Sequence, residues 1–261
     1  MRIVVKVGTS TLAHPTGRLN IRHMEELVKV ISDLKNAGHE IVLVSSGAIG
    51  MGVGKLMLKA RPEDMPTKQA AAAVGQCELM DTYDRYFRLY GHTVAQILLT
   101  GEDLDHPVRR QNFQNTLYRL LELDALPIIN ENDTVATTEI AVGDNDTLAA
   151  IVAQCAGADL VVLLSDIEGL YTADPHKDPS ASLIPRVDKI TPELEALASG
   201  KGSSLGTGGM KTKLNAARIV TKSGADLVIT NGAHPENLYG IIENTAGAAG
   251  TRFTARASKE E

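Results

Sequence analysis

The sequence predicts an α/β fold: a three-layer α/β/α sandwich around a mostly parallel central sheet. Three observations carry that expectation. Short aliphatic runs recur along the chain, helical patterns separate them, and the connections between are short. The aliphatic runs are apolar on consecutive positions rather than alternating, as strands covered on both faces must be. With 43% hydrophobic residues but only six Tyr, three Phe and no Trp, the core has to be built from Ala, Val, Ile and Leu.

In chain order, the expected strands are Ile3–Val7, Ile41–Val44, Val94–Leu98, Pro127–Ile129, Leu160–Leu164 and Leu227–Thr230. Asn20 can cap a helix in which Met24, Leu27, Val28, Ile31 and Leu34 recur at three and four residues, with Gly38 just beyond its end. A second helix starts near Thr67 and runs to Gly91. Others cover Arg110–Leu123, Thr147–Cys155 and Met210–Ser223. Val135–Val142 reads as a small hairpin ahead of a helix, a lid over a site. No repeat, low-complexity tract or Pro/Ser-rich linker marks a boundary. Residues 1–254 are therefore expected to form one domain, followed by a short polar tail over 255–261.

Charge and composition exclude several classes. Twenty-six Lys plus Arg against 32 Asp plus Glu give a net charge of −6, the wrong sign for a general nucleic-acid binder. Scarce aromatics speak against stacking on single strands. No apolar stretch reaches the ~18 residues of a membrane span. The chain enters a strand at Arg2, which leaves no room for a signal peptide, and Cys77 and Cys155 read as buried free thiols. A cytoplasmic protein is expected. The seven His are scattered without metal-ligand spacing and read as surface or turn residues.

Ligands of open α/β sheets bind beyond the carboxyl ends of the strands. Here those ends carry Gly8-Thr9-Ser10-Thr11, Ser45-Ser46-Gly47-Ala48, Asn130-Glu131-Asn132-Asp133 and Ser165-Asp166. In a parallel sheet the four clusters converge on one edge. Lys6, in a strand buried on both faces, either snorkels at the sheet end or aims its ammonium at phosphate oxygens. Gly206-Thr207-Gly208-Gly209-Met210-Lys211-Thr212-Lys213 leads into a helix, so its N–H groups and lysines suit an anion, although a Gly-rich surface loop reads the same way. Gly143-Asp144-Asn145-Asp146 holds more polarity than one N-cap needs. The surplus points to hydrogen bonds with an ammonium, of substrate or of a catalytic lysine, or to a metal held by two carboxylates. Asx-turn chemistry could absorb part of Asn130–Asp133. Neither GxxxxGK[ST] nor GxGxxG is present, which disfavours a P-loop enzyme and a nicotinamide-dependent dehydrogenase.

Taken together, Val5–Ser10, Val44–Ile49, Ile129–Asp133, Val142–Asp146, Gly169–Pro175 and Leu205–Met210 with Thr212-Lys213 resemble the amino acid kinase family, in its glutamate 5-kinase branch. The resemblance runs from about residue 3 to 253. It implies the amino acid kinase fold and transfer of the ATP γ-phosphoryl group to the side-chain carboxylate of L-glutamate, the first step of proline biosynthesis. It further implies that Lys6 and Lys213 neutralise the transferred phosphoryl group while Asp146 holds both lysines. Ser46, Asp133 and Asn145 would bind glutamate, with Asn130 and Asp144 nearby. Lys6, Ser165, Asp166, Thr207, Gly208, Gly209, Met210, Lys211, Thr212 and Lys213 would bind ATP, with Mg²⁺ carried mainly by its phosphates and no protein ligand assigned. Proline as feedback inhibitor, a downstream reductase taking the acyl phosphate and a homo-oligomer are implied in the same way. The small C-terminal domain that many bacterial members carry, of the type found in RNA-modifying enzymes, has no counterpart in the sequence. Alternatives are a relative acting on N-acetylglutamate, aspartate, carbamate or UMP, and a non-catalytic amino-acid-sensing domain.

Overall fold

In the computed structural model, β1 (Arg2–Val7) lies at the centre of the sheet, with β2 (Glu40–Ser45) on one side and β5 (Leu160–Ser165) on the other, both parallel to it. Beyond β2 come β4 (Leu126–Glu131) and then β3 (Val94–Leu99) at the edge. Beyond β5 come β7 (Asp226–Asn231), β8 (Thr251–Phe253) and β6 (Arg186–Val187). Only the β7–β8 pairing is antiparallel, so the expected mostly parallel sheet is what forms. The structure describes all residues except 15, 17, 138–141, 143, 174–177, 179, 199–208, 246 and 256–261.

Helices α1 (Thr9–Leu12), α2 (Ile21–Asn36), α3 (Ala48–Lys55), α4 (Met65–Arg88), α5 (Gly101–Asp105), α6 (Pro107–Glu122), α7 (Asn145–Ala156), α8 (Pro192–Ala198), α9 (Met210–Lys222) and α10 (Asn237–Ile242) complete the layers. Alternation along β1 assigns the two faces. Ile3, Val5 and Val7 pack with Met24 and Leu27 of α2, Leu79 of α4 and Leu238 of α10. Val4 packs with Leu148 and Val152 of α7 and Leu214 and Ala217 of α9. Side chains two apart on a strand share a face, so Lys6 is committed to the α7/α9 side. All these apolar groups are fully or almost fully buried, each Val, Ile, Leu and Met worth about 1.5–3 kcal/mol, which makes a disulfide unnecessary.

Local signals explain the boundaries. Asn20 caps α2 by accepting from His23 N at 3.3 Å. Asp64 accepts from Thr67 N at 2.9 Å and Pro66 occupies the first turn, so α4 starts before the expected Thr67 and ends before Gly91. β4 runs two residues past Ile129, which places Asn130 inside the sheet. Two expectations are corrected. Cys77 is exposed, because it lies off the α4 face formed by Ala72, Leu79 and Tyr83; only Cys155 is buried. His23 is buried beside Met24 rather than at the surface, and burial pushes its imidazole pKa down against the opposing pull of Glu26 and Glu236.

Gly52 of α3 and Gly75 of α4 serve close helix packing. A Cβ on Gly75 would sit 1.7 Å from the Ala48 carbonyl oxygen, and one on Gly52 would sit 1.8 Å from that of Ala71. Both obstacles are backbone, so they yield only if the helices part. Gly75→Ala is therefore expected to cost at least the ~1–3 kcal/mol typical of overpacking, read as a fall of several degrees in calorimetric Tm. An unchanged Tm would show that the α3–α4 contact is not tight.

Candidate active site

β1 is where the sheet's connectivity divides: the chain leaves it for β2 on one side, and α7 later carries it from β4 across to β5 on the other. Such a switch point opens a crevice beyond the strand carboxyl ends. Four polar clusters meet there. Ser46 follows β2 and is tied to β1 through Ser46 N–H to the Val7 carbonyl at 3.0 Å. Asn130 and Glu131 end β4, Ser165 ends β5, and Asn231, in register with Ser165, ends β7. Gly47 adopts φ +110° to turn β2 into α3, a conformation that favours glycine.

At the centre Asp146, in the first turn of α7, is 1% exposed. The Lys6 ammonium stands 2.8 Å from its Oδ1, and the Lys213 ammonium, from the first turn of α9, stands 3.1 Å from its Oδ2. The Thr212 hydroxyl lies 3.1 Å from Oδ2 and 2.8 Å from the Gly209 carbonyl oxygen. Burial alone would raise the Asp146 pKa, but the two ammoniums outweigh it and hold the carboxyl below its ordinary value. Within this trio one carboxylate orients two ammoniums, and cations fixed in this way suit charge-assisted hydrogen bonds to an anion.

A second group flanks the first. Asn145 Nδ2 donates to Ser46 Oγ at 2.7 Å and to Asn130 Oδ1 at 3.0 Å, while Asn130 Nδ2 donates to Gln76 Oε1 at 3.0 Å. Beside it, burial and the nearby Glu131 carboxylate raise Asp133 to about 6, with Arg61 pulling the other way. Glu131 is itself raised, chiefly by burial, although it accepts from Val142 N at 2.6 Å. Two neighbouring carboxyls pushed upward mark a place where a bound cation would be welcome. Asp144 plays a different part: its two oxygens accept from Thr147 N and Thr147 Oγ1, both at 2.8 Å, so it is the N-cap of α7.

On the β5–β7 side, Ser165 Oγ donates to Asp166 Oδ1 at 3.1 Å. Gly232 follows β7 against Thr11, where a Cβ would come within 2.9 Å of the Thr11 hydroxyl. Gly209 caps α9 in extended conformation, Met210 packs on the core and Lys211 is exposed. Thr207 and Gly208 lie outside the described residues, as do 138–141 of the expected hairpin. No group of three or more His, Cys, Asp or Glu among the described residues could hold a metal ion, and no described helix is long and apolar enough to cross a membrane. The structure thus joins Lys6, Asp146, Thr212 and Lys213, and separately Ser46, Asn130 and Asn145. Sequence reasoning missed Gln76. The available signal was its place, at helical spacing, on the apolar Ala72–Leu79–Tyr83 face of α4.

A carboxylate holding two lysines at the switch point of a parallel sheet is an arrangement suited to an α/β enzyme that handles an anionic substrate. The chain belongs to the amino acid kinase family, whose model matches residues 1–231. Curated relatives from Listeria innocua and Clostridium tetani, both called Glutamate 5-kinase, are 49% and 52% identical. The alignments cover 100% and 97% of this chain and 94% of each relative. Among solved structures, the isopentenyl phosphate kinase of T. acidophilum in its product complex superposes with a TM-score of 0.65 at 16% identity, covering 97% of this chain and 100% of that one. The carbamate kinase from Giardia lamblia bound to AMP-PNP gives 0.67 at 16%, covering 97% and 98%. These structural likenesses establish the amino acid kinase fold.

Proposed function

We propose that this chain transfers the γ-phosphoryl group of ATP to the side-chain carboxylate of L-glutamate, giving the acyl phosphate that opens proline biosynthesis. The observation that carries the reading is the Lys6–Asp146–Lys213 trio, with the raised carboxyls of Glu131 and Asp133 at the end of β4, in a chain about half identical to relatives called Glutamate 5-kinase.

A carboxylate is already a competent nucleophile, so no strong general base is required. One glutamate side-chain oxygen forms the new P–O bond as the bond from the γ-phosphorus to the ADP oxygen breaks. The barrier is then lowered by alignment and by cations fixed where charge develops. Lys6 and Lys213 supply those cations, and Asp146 keeps them in place without neutralising both. Asp133 and Glu131 suit the substrate ammonium, and Ser46 and Asn145 suit its polar groups. Ser165, Asp166 and the start of α9 are the nucleotide side. Mg²⁺ supplies further charge neutralisation when bound. With Asp146 already engaged by two lysines, the ion would be held chiefly through the triphosphate.

The test is a Mg·ATP-dependent hydroxamate assay comparing L-glutamate, N-acetylglutamate and L-aspartate. Product from L-glutamate alone is expected. Product from another acid would overturn the substrate pocket, and binding without product would indicate a sensor.

Asp133 adds a pH signature. Its raised pKa means the ligand-free fold binds a proton there more tightly than the unfolded chain does. That contribution to stability is full below the ordinary value of 3.8, is lost progressively as pH rises from there through about 6, and is gone above it. An incoming ammonium reverses the preference, since it needs the ionised carboxylate. The KM for glutamate is therefore expected to fall as pH rises from 5 to 7 and then level off. Asp133→Asn should raise that KM and flatten its profile, leaving the KM for ATP within a fewfold. A variant that keeps the wild-type profile would place the titrating group elsewhere.

A further inference from the structure

We propose that Gln76, on α4, is a positioning residue that sets the hydrogen-bond polarity of the amino-acid pocket. The inference rests on the substrate reading above. Gln76 is 8% exposed and Asn130 is 3% exposed, so neither amide can trade its partner freely for water. From Gln76 the bonds run in one sense: Oε1 accepts from Asn130 Nδ2, Asn130 Oδ1 accepts from Asn145 Nδ2, and the same Nδ2 donates to Ser46 Oγ.

An amide has one donor end and one acceptor end. Turning any single member of the relay over would bring two donors or two acceptors face to face, so the relay reverses only as a whole. With Gln76 presenting its oxygen, both Asn145 amide protons are used within the protein. That leaves Asn145 Oδ1 as an acceptor for the ligand. Ser46 Oγ already accepts a bond, which leaves its hydroxyl proton as a donor. The pocket thus offers one acceptor and one donor at set places, suited to the ammonium and a carboxylate of a free amino acid. An N-acylated substrate would bring a weaker, singly protonated donor to the same acceptor.

The placement of Gln76 is rigid for a reason already on view. Its neighbour Gly75 sits in backbone contact with Ala48 and Gly52 of α3, the helix that directly follows Ser46 and Gly47. The two ends of the relay are therefore held on one tightly packed helix pair, with Asn130 and Asn145 spanning it from β4 and α7.

Two variants and one spectroscopic measurement test this. Gln76→Met keeps the length and removes the polar end, whereas Gln76→Glu keeps an acceptor oxygen. Gln76→Met is expected to raise the KM for L-glutamate about tenfold, with kcat and the KM for ATP within about threefold. Gln76→Glu is expected to recover most of the loss. In the ligand-free protein labelled with ¹⁵N-asparagine, Gln76→Met should shift the Asn145 side-chain amide resonance and speed its hydrogen exchange. A wild-type KM in Gln76→Met, or parallel losses in kcat and both KM values, would overturn the relay as a positioning device. An unchanged Asn145 amide would overturn it whatever the substrate. Failure of wild-type protein to act on L-glutamate would instead sink the substrate reading, and the amide measurement would still decide the relay.

Discussion

Replacing Lys213 with alanine is expected to lower kcat for glutamate-dependent ADP formation by about 10²–10³-fold, the usual loss when one preorganised group at a developing charge is removed. The fold should survive. Lys6 still faces Asp146 at 2.8 Å, and α9 remains anchored through Leu214, Ala217 and Val220, all nearly or fully buried. Circular dichroism and a thermal melt would verify the folded state before kinetics are read. Near-normal turnover in a folded Lys213→Ala protein would remove this ammonium from the mechanism and leave Lys6 as the cation that matters.

The second large effect is expected at Asp146. Asp146→Asn leaves two ammoniums against a neutral amide in a site from which water is excluded. Breaking a buried ion pair from one side costs about 3–5 kcal/mol, which for a chain of this size corresponds to a Tm lower by roughly 6–20 °C. Activity should fall by at least about 10²-fold, because neither lysine is then held in place. ATP should stabilise the variant more than it does the wild type, since its phosphates replace the missing negative charge. The pH dependence follows the depressed pKa of this carboxyl. Its stabilisation is in place above the ordinary Asp range and is lost as pH falls through the lower folded-state value, so the wild type should shed stability in acid at a point where Asp146→Asn does not. Equal melting temperatures for the two proteins would mean that the trio is not energetically coupled.

Most of this arrangement could be read from residue order because parallel strands are written plainly: Leu160–Leu164 is an unbroken aliphatic run, Ile3–Val7 is one broken only by Lys6, and polar clusters follow both directly. Strand parity puts Lys6 on the same face as Val4, but only the structure shows that α7 and α9 cover that face. Other features left weaker traces. β6 and β8 are two and three residues long and too short to show a period. α3 has the sequence AIGMGVGK, which local propensity disfavours as a helix; Gly52 answers instead to the backbone of α4 at Ala71. Cys77 and Gln76 are adjacent in an Ala-rich helix, and only the helical phase shows that the polar one faces inward and the thiol outward. Asp144 and Asp146 are equally acidic in the sequence; tertiary contacts alone make one a cap and the other the brace.

The central position of β1 bears on how the chain can be made. Its partner on one side, β2, leaves the ribosome soon after it, but its partner on the other, β5, comes more than a hundred residues later. At roughly 5–20 residues per second, one flank of this mostly apolar strand waits for about 8–30 s before it is covered. During that interval the nascent chain presents an open β edge of the kind that pairs wrongly with its neighbours. Lys213 is translated later still, so a chain that stops short of α9 lacks one of the two ammoniums, and the vulnerable window in synthesis closes only with β5.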